Sequence, residues 1–237
     1  MSVSLSTSIS QRPYAHAGMT MLDTAVQRAN MVATQLRTND VRDARVCRAM
    51  ETIPREIFVP QEFRPVAYME RAINLAPHRV LMDARCFGKL LQLAAIRPED
   101  TVLDVGCGTG YSSAVLGKLA ARVFALEEKE ELASTAELNL QELAAENVQI
   151  IRGKLIQGDP AHAPLDVIVL GGAVAQRPNS LLDQLKDGGR LVTVRREGAA
   201  GYGCLYLKHG TAIGERDGFD AWLPVLPGFE KPRGFTF

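Results

Sequence analysis

From Thr101 onward, short β-rich runs alternate with segments long enough for helices, and this alternation most narrows the folds open to the chain. The runs are 101–105, 122–127, 148–152, 166–170 and 190–194, each bounded by turn-forming or charged residues. Between them, 112–120 and 130–145 have the length of crossover helices, and parallel strands require such crossovers. Pro178 sits where a helix tolerates proline, in its first turn. The spacing therefore predicts an α/β chain with a doubly wound, mostly parallel sheet. After the turn signal Lys186-Asp187-Gly188-Gly189, the runs 202–208 and 222–226 read as two antiparallel strands closing that sheet.

Ahead of the sheet the pattern is helical. Apolar residues recur at Ala25, Ala29, Val32 and Leu36, which is the spacing of one helix face. Asp43 can cap a second helix that turns Val46, Cys47 and Met50 inward before Pro54 stops it. The 237 residues suit one domain of this class. Residues 1–22 are rich in Ser, Thr and small side chains and are expected to form a mobile tail, leaving 23–237 as the domain.

Charge and cysteine usage exclude several functions. Lys plus Arg equals Asp plus Glu at 27 each, so no basic excess draws the chain to nucleic acid or to anionic lipid. No stretch reaches the roughly 18 apolar residues of a membrane span, and 90–96 reads instead as part of a buried helix. Cys47, Cys86, Cys107 and Cys204 are scattered without metal-ligand or disulfide spacing, which points to no metal and to a reducing, cytoplasmic setting. His16, His162 and His209 have no ligand partner at useful spacing.

The densest chemical signal is Asp104-Val105-Gly106-Cys107-Gly108-Thr109-Gly110, directly after the first strand and before a helix opened by Tyr111. Glycines there let the backbone turn sharply and approach a ligand closely. Glu127 ends the second strand, about 20 residues beyond the loop, where a carboxylate can accept both hydroxyls of a ribose; its bland alternative is a solvated helix cap. A dinucleotide site usually shows G-x-G-x-x-G. This chain has G-x-G-x-G with Asp104 two positions ahead, and that spacing favours S-adenosylmethionine. Asp104 is expected to orient the loop, reach the cofactor's amine through water, or cap nearby amides. Tyr111 lines the pocket or packs beside it.

Three segments carry a family resemblance: Met31-Val32-Ala33-Thr34-Gln35-Leu36-Arg37, Ile53-Pro54-Arg55-Glu56-Ile57-Phe58-Val59-Pro60, and Val102 through Tyr111. In order and spacing they resemble the protein-L-isoaspartate (D-aspartate) O-methyltransferases, and the likeness covers roughly residues 25 to 195. The resemblance implies a Rossmann-like, class I S-adenosylmethionine-dependent methyltransferase fold. It also implies methyl transfer to the carboxylate of L-isoaspartyl residues in damaged proteins or peptides. Cofactor contacts would fall on Asp104, Gly106, Gly108, Thr109, Gly110, Tyr111 and Glu127.

One loop departs from the family. Its G-Q-T-I-S-Q-P segment falls on His78-Arg79-Val80-Leu81-Met82-Asp83-Ala84, placing Val80 at the threonine and Met82 at the serine the resemblance would make catalytic. The family's G-D-G after the third strand falls on Gly153-Lys154-Leu155, with Asp159 as a substitute carboxylate if the loop is reshaped. Three outcomes stay open. Val80 to Met82 pack as core of the following helix, leaving a noncatalytic cofactor-binding protein; or the chain methylates with His78 and Arg79 as candidate catalytic groups, Arg79 clamping a carboxylate; or the acceptor differs.

Overall fold

The computed structural model describes residues 21–231, apart from the side chains of Met21 and Leu22. The expected tail, 1–22, lies outside the described residues except for Met21 and Leu22, with which the first helix, α1 (Met21–Met31), begins. The apolar stripe of that helix runs on through one turn of π-helix, Val32–Leu36, which keeps Val32 and Leu36 buried. Asp43 caps α2 (Ala44–Thr52) by accepting from the amides of Arg45 and Val46, and Val46, Cys47 and Met50 are buried as their spacing requires.

Two short strands follow that the sequence pattern does not mark, β1 (Ile73–Ala76) and β2 (Arg79–Leu81). They pair antiparallel as a separate two-stranded sheet. Helix α3 (Ala84–Ala94) then starts at Asp83, whose carboxylate accepts from the amide of Cys86. The expectation that 80–82 pack as core of that helix is therefore corrected. Leu81 and Met82 are buried, but the Asp83 cap starts the helix only at Ala84, and the hairpin holds Val80 and Leu81 extended.

The main sheet contains β3 (Thr101–Val105), β4 (Arg122–Glu127), β5 (Val148–Arg152), β6 (Leu165–Val174), β7 (Leu185–Glu197), β8 (Ala200–His209) and β9 (Ala212–Asp220). Their order is β5-β4-β3-β6-β7-β8-β9. The pairings from β5 through to β7 are parallel, and β8 and β9 run antiparallel. Side chains alternate as a two-faced sheet demands. Val102, Val123, Val167 and Val169 join one core with α2, α3 and α4 (Tyr111–Gly117), while Leu103, Val105, Phe124, Ile168 and Leu170 join the other. Helix α5 (Glu130–Glu142) packs Ala136 toward Ala125 of β4. The short α6 (Asn179–Leu182) takes Pro178 as its cap, one position before the expected first turn.

The last strand differs from its expected place. Residues 222–226 form no strand beyond a single bridge between Ala173 and Val225; the closing strand is β9, 212–220. Leu223 and Leu226 are fully buried because this segment folds back over β6. Strand β9 escaped notice because it is an exposed edge, charged at Glu215, Arg216 and Asp217, a composition that protects an edge from further pairing.

The strand order reverses between β3 and β6, so their carboxyl ends open the crevice in which such folds bind ligands. The glycine loop leaves β3 at that point, backed by Gly171 of β6. A side chain on Gly171 would place Cβ 2.4 Å from the carbonyl oxygen of Gly106. Gly171→Ala is expected to destabilise the protein by about 1–3 kcal/mol, the cost of forcing an atom into packed structure. Urea unfolding of the two proteins measures this, and equal midpoints would show that the loop is not held against β6.

Candidate functional site

The glycine loop is fixed from several directions. The amide of Gly106 donates to the carbonyl of Leu126 at 2.8 Å, and the Gly110 amide donates to Cys107 at 3.0 Å. Thr109 donates its hydroxyl to the carbonyl of Phe58 at 2.6 Å, and Asn139 of α5 donates to the carbonyl of Thr109 at 2.9 Å. Gly108 has φ +58, a left-handed conformation that any Cβ strains.

Beneath the loop, Asp104 is fully buried. One carboxylate oxygen, Oδ2, accepts from the hydroxyls of Ser112 and Ser113, both at 2.6 Å. The partners are hydroxyls rather than the amides expected of a cap. The other oxygen, Oδ1, is buried with no partner. Burial, together with the nearby charge of Glu127, raises the Asp104 pKa from 3.8 to about 6, against the pull of the two serine hydroxyls. Tyr111 is also buried, ringed by Phe58 at 5.5 Å and Phe87 at 5.9 Å between centroids.

Glu127 ends β4 with its side chain fully buried. Oε2 accepts from the amide of Gly108 at 3.0 Å, and Oε1 accepts from the amides of Glu128 and Lys129, each at 3.0 Å. It thus stands at the strand end that ribose binding requires and also holds the approach to α5. The expected solvated helix cap does not form: the side chain is fully buried, and the Glu128 and Lys129 amides it accepts from precede α5, which starts at Glu130.

Arg79 is the main surprise. A cation in a loop is ordinarily solvated surface, yet this one is 1% exposed. Its Nε donates to both oxygens of Glu127, at 3.2 and 3.1 Å, and its Nη2 donates to Glu128 at 3.0 Å. The carboxylate it clamps is the protein's own. His78 is exposed at the hairpin turn with φ +60, the conformation suited to the glycine that stands there in the resembling family.

The remaining expected groups line a cavity of about 970 Å³ beside Leu126, where the amide of Gly153 donates to the carbonyl of Glu127 at 3.2 Å. Lys154 is exposed. Asp159 is buried, but its carboxylate engages Nδ1 of His162 at 2.6 Å, and that ring stacks on Phe124 at 3.8 Å. Two residues that sequence reasoning passed over do matter. Leu75 of β1 reaches the loop, its Cδ1 lying 2.9 Å from where a Cβ on Gly108 would sit. Arg55, fully buried, donates Nε to the carbonyl of Ala67 at 2.7 Å and Nη2 to the carbonyl of Met82. Arg55 stands inside the Ile53–Pro60 motif, which was the available signal; Leu75 carried none. Val80, Met82, Tyr111 and Ser112 line a cleft with Leu75 and Gly106 whose free volume is only about 10 Å³, about enough for one water.

A sheet of this order, with a glycine loop after its first strand and an acidic residue ending the next, defines the class of S-adenosylmethionine-dependent methyltransferases with a doubly wound fold. Within that class the chain belongs to the protein-L-isoaspartate(D-aspartate) O-methyltransferase family, whose model matches residues 27–201. A protein-L-isoaspartate O-methyltransferase of Koribacter versatilis is 42% identical over 168 residues, spanning 71% of this chain and 76% of that protein. One from Maricaulis maris is 35% identical over 195 residues, 81% of this chain and 91% of the relative. Among solved structures, a protein-L-isoaspartate O-methyltransferase superposes with TM-score 0.74 at 22% identity, covering 86% of this chain and 67% of the other. A Plasmodium falciparum structure, described as a putative enzyme of the same name in complex with S-adenosyl-L-homocysteine, gives 0.72 at 18% identity, with coverage of 84% and 97%. The two structures support the fold.

The raised pKa of Asp104 fixes a pH dependence of stability. Between pH 3.8 and about 6 the folded state holds a proton that the unfolded chain has released, so this group's contribution falls as pH rises through that window and is constant above it. The gap corresponds to about 3 kcal/mol. Asp104→Asn keeps an acceptor for Ser112 and Ser113 and should abolish the fall. Urea unfolding of both proteins from pH 4 to 7 is expected to show the variant gaining on the parent as pH rises; a constant difference would refute the shift.

Proposed function

We propose that residues 23–237 act as one domain, an S-adenosylmethionine-dependent protein-L-isoaspartate O-methyltransferase working in the cytosol on isoaspartyl residues of proteins and peptides. Family membership over 27–201 carries this reading, and the residues of the cleft fit the cofactor. Asp104 keeps a buried, unpartnered oxygen beside the glycine loop, suited to the cofactor's ammonium group. Gly106, Gly108, Thr109 and Gly110 supply backbone that approaches closely, Glu127 supplies the carboxylate for the ribose hydroxyls, and Tyr111 walls the pocket. As the hairpin lies, the cleft between Leu75, Val80, Met82 and Gly106 keeps only about 10 Å³ of free volume, while a wider cavity of about 970 Å³ opens beside Leu126, Gly153 and Lys154.

When bound, S-adenosylmethionine supplies an electrophilic methyl group. The acceptor carboxylate is ionised at neutral pH, so the chain needs no strong base. Its work is alignment and exclusion of water. Arg55 positions the acceptor loop by holding the carbonyl of Met82. Val80 and Met82 offer apolar walls where hydroxyls would donate hydrogen bonds, so the carboxylate is held less firmly than in a hydroxyl-bearing relative.

Transfer of labelled methyl to an isoaspartyl peptide, with the aspartyl isomer as control, tests this reading. Transfer is expected to the isoaspartyl peptide alone, and Gly108→Val should abolish it, since a side chain strains the backbone at φ +58 and fills the space of the loop's close approach to a ligand. Removing one positioned donor typically costs on the order of a hundredfold in rate. Val80→Thr combined with Met82→Ser should therefore raise transfer by about that factor. No transfer by either folded protein would overturn the assignment.

A further inference from the structure

Four donors converge on the Glu127 carboxylate: the amides of Gly108, Glu128 and Lys129, and the guanidinium of Arg79. A carboxylate offers about four lone-pair sites, so nothing remains for a ribose diol. Three of the donors are backbone amides of the glycine loop and of the approach to α5, and they cannot leave without dismantling both. Arg79 is different. It rides on a hairpin of four and three residues that lies outside the seven-stranded sheet. Its register is irregular between Asn74 and Ala76, and His78 turns it at φ +60, a conformation that strains a non-glycine residue. The same hairpin lays Leu75 against Gly108.

We propose that the β1–β2 hairpin is a latched gate over the cofactor cleft, with Arg79 as the latch and Leu75 as the plug. The proposal rests on the cofactor reading above. Cofactor and Arg79 compete for one carboxylate, and binding requires the hairpin to lift. Glu128 gives the displaced guanidinium a second resting place. It is exposed, and its Oε1 already holds Nη2 of Arg79 at 3.0 Å, so Arg79 can leave Glu127 without becoming an unpaired cation. The gate thus has two positions that differ in which of two adjacent carboxylates Arg79 serves. The observed affinity is the intrinsic affinity reduced by the fraction of molecules with the gate lifted.

The test uses S-adenosylhomocysteine, titrated calorimetrically into the full chain, into Arg79→Met and into Leu75→Ala, with thermal unfolding to establish that each is folded. Leu75→Ala disturbs no charge and covers the case in which Arg79→Met, which strips a buried carboxylate of its partner, fails to fold. Tighter binding by at least about tenfold in the folded variants is expected. Amide hydrogen exchange gives a second readout: ligand should speed exchange in 73–81 of the parent while slowing it in 106–110. Equal or weaker binding in the folded variants, or ligand-induced protection of 73–81, overturns the gate. Absence of binding in every folded protein overturns the cofactor reading itself, a result distinct from failure of the gate alone.

Discussion

Glu127 is where the separate parts of this structure meet. Its carboxylate joins the end of β4, the glycine loop after β3, the start of α5 and the β1–β2 hairpin through hydrogen bonds of 3.0 to 3.2 Å. Removing a carboxylate from water is expensive, and the cost is met only when its lone pairs are satisfied. Here it is met mostly by backbone amides, which exist only if β4, the glycine loop and α5 are already in register. The arrangement is cooperative: the carboxylate specifies the turn geometry around it, and that geometry solvates the carboxylate.

A second node explains why the helical motif ahead of the sheet accompanies the glycine loop. Thr109 donates to the carbonyl of Phe58, whose ring packs edge-on against Tyr111. Arg55, three residues earlier, lies 5.0 Å from the same tyrosine ring and holds the carbonyls of Ala67 and Met82. Burial lowers the Arg55 pKa, offset by Tyr111 and Asp83, and one of its nitrogens has no partner. Such a cation is retained for what it positions, because a buried charge contributes little net stability. It fixes the segment where the family has hydroxyls and this chain has Val80 and Met82.

Local periodicity made most of the sheet legible. Strands β3 to β7 announce themselves because buried parallel strands are runs of Val, Ile and Leu, and α2 is marked by its Asp43 cap. Strand β9 was illegible for the opposite reason, since an exposed charged edge has no apolar period, while Leu223 and Leu226 gave a strand-like signal for a segment buried by folding back. At the site, Asp104, the glycines and Glu127 could be named because they follow strands at fixed spacing. Arg79 and Leu75 could not be placed, because their neighbours are 48 and 33 residues away along the chain. No local pattern encodes which carboxylate a loop arginine will find.

Asp104, Glu127 and Glu128 bring three carboxyl groups near one loop, and the charge of Glu127 is among the causes that raise the Asp104 pKa. On the proposed cofactor reading, the site receives a cationic, diol-bearing ligand and carries this repulsion whenever no ligand is there to offset it. Where the resembling family has a neutral glutamine, this chain has an arginine that supplies the missing positive charge from within. Arg79 therefore relieves the same electrostatic strain that favours ligand binding. Stability of the ligand-free protein and affinity for the ligand are drawn from one interaction, so strengthening either weakens the other. The apolar replacements at Val80 and Met82 fit this balance, because a hairpin that closes over the cleft needs side chains that can be buried there without unpaired hydroxyls.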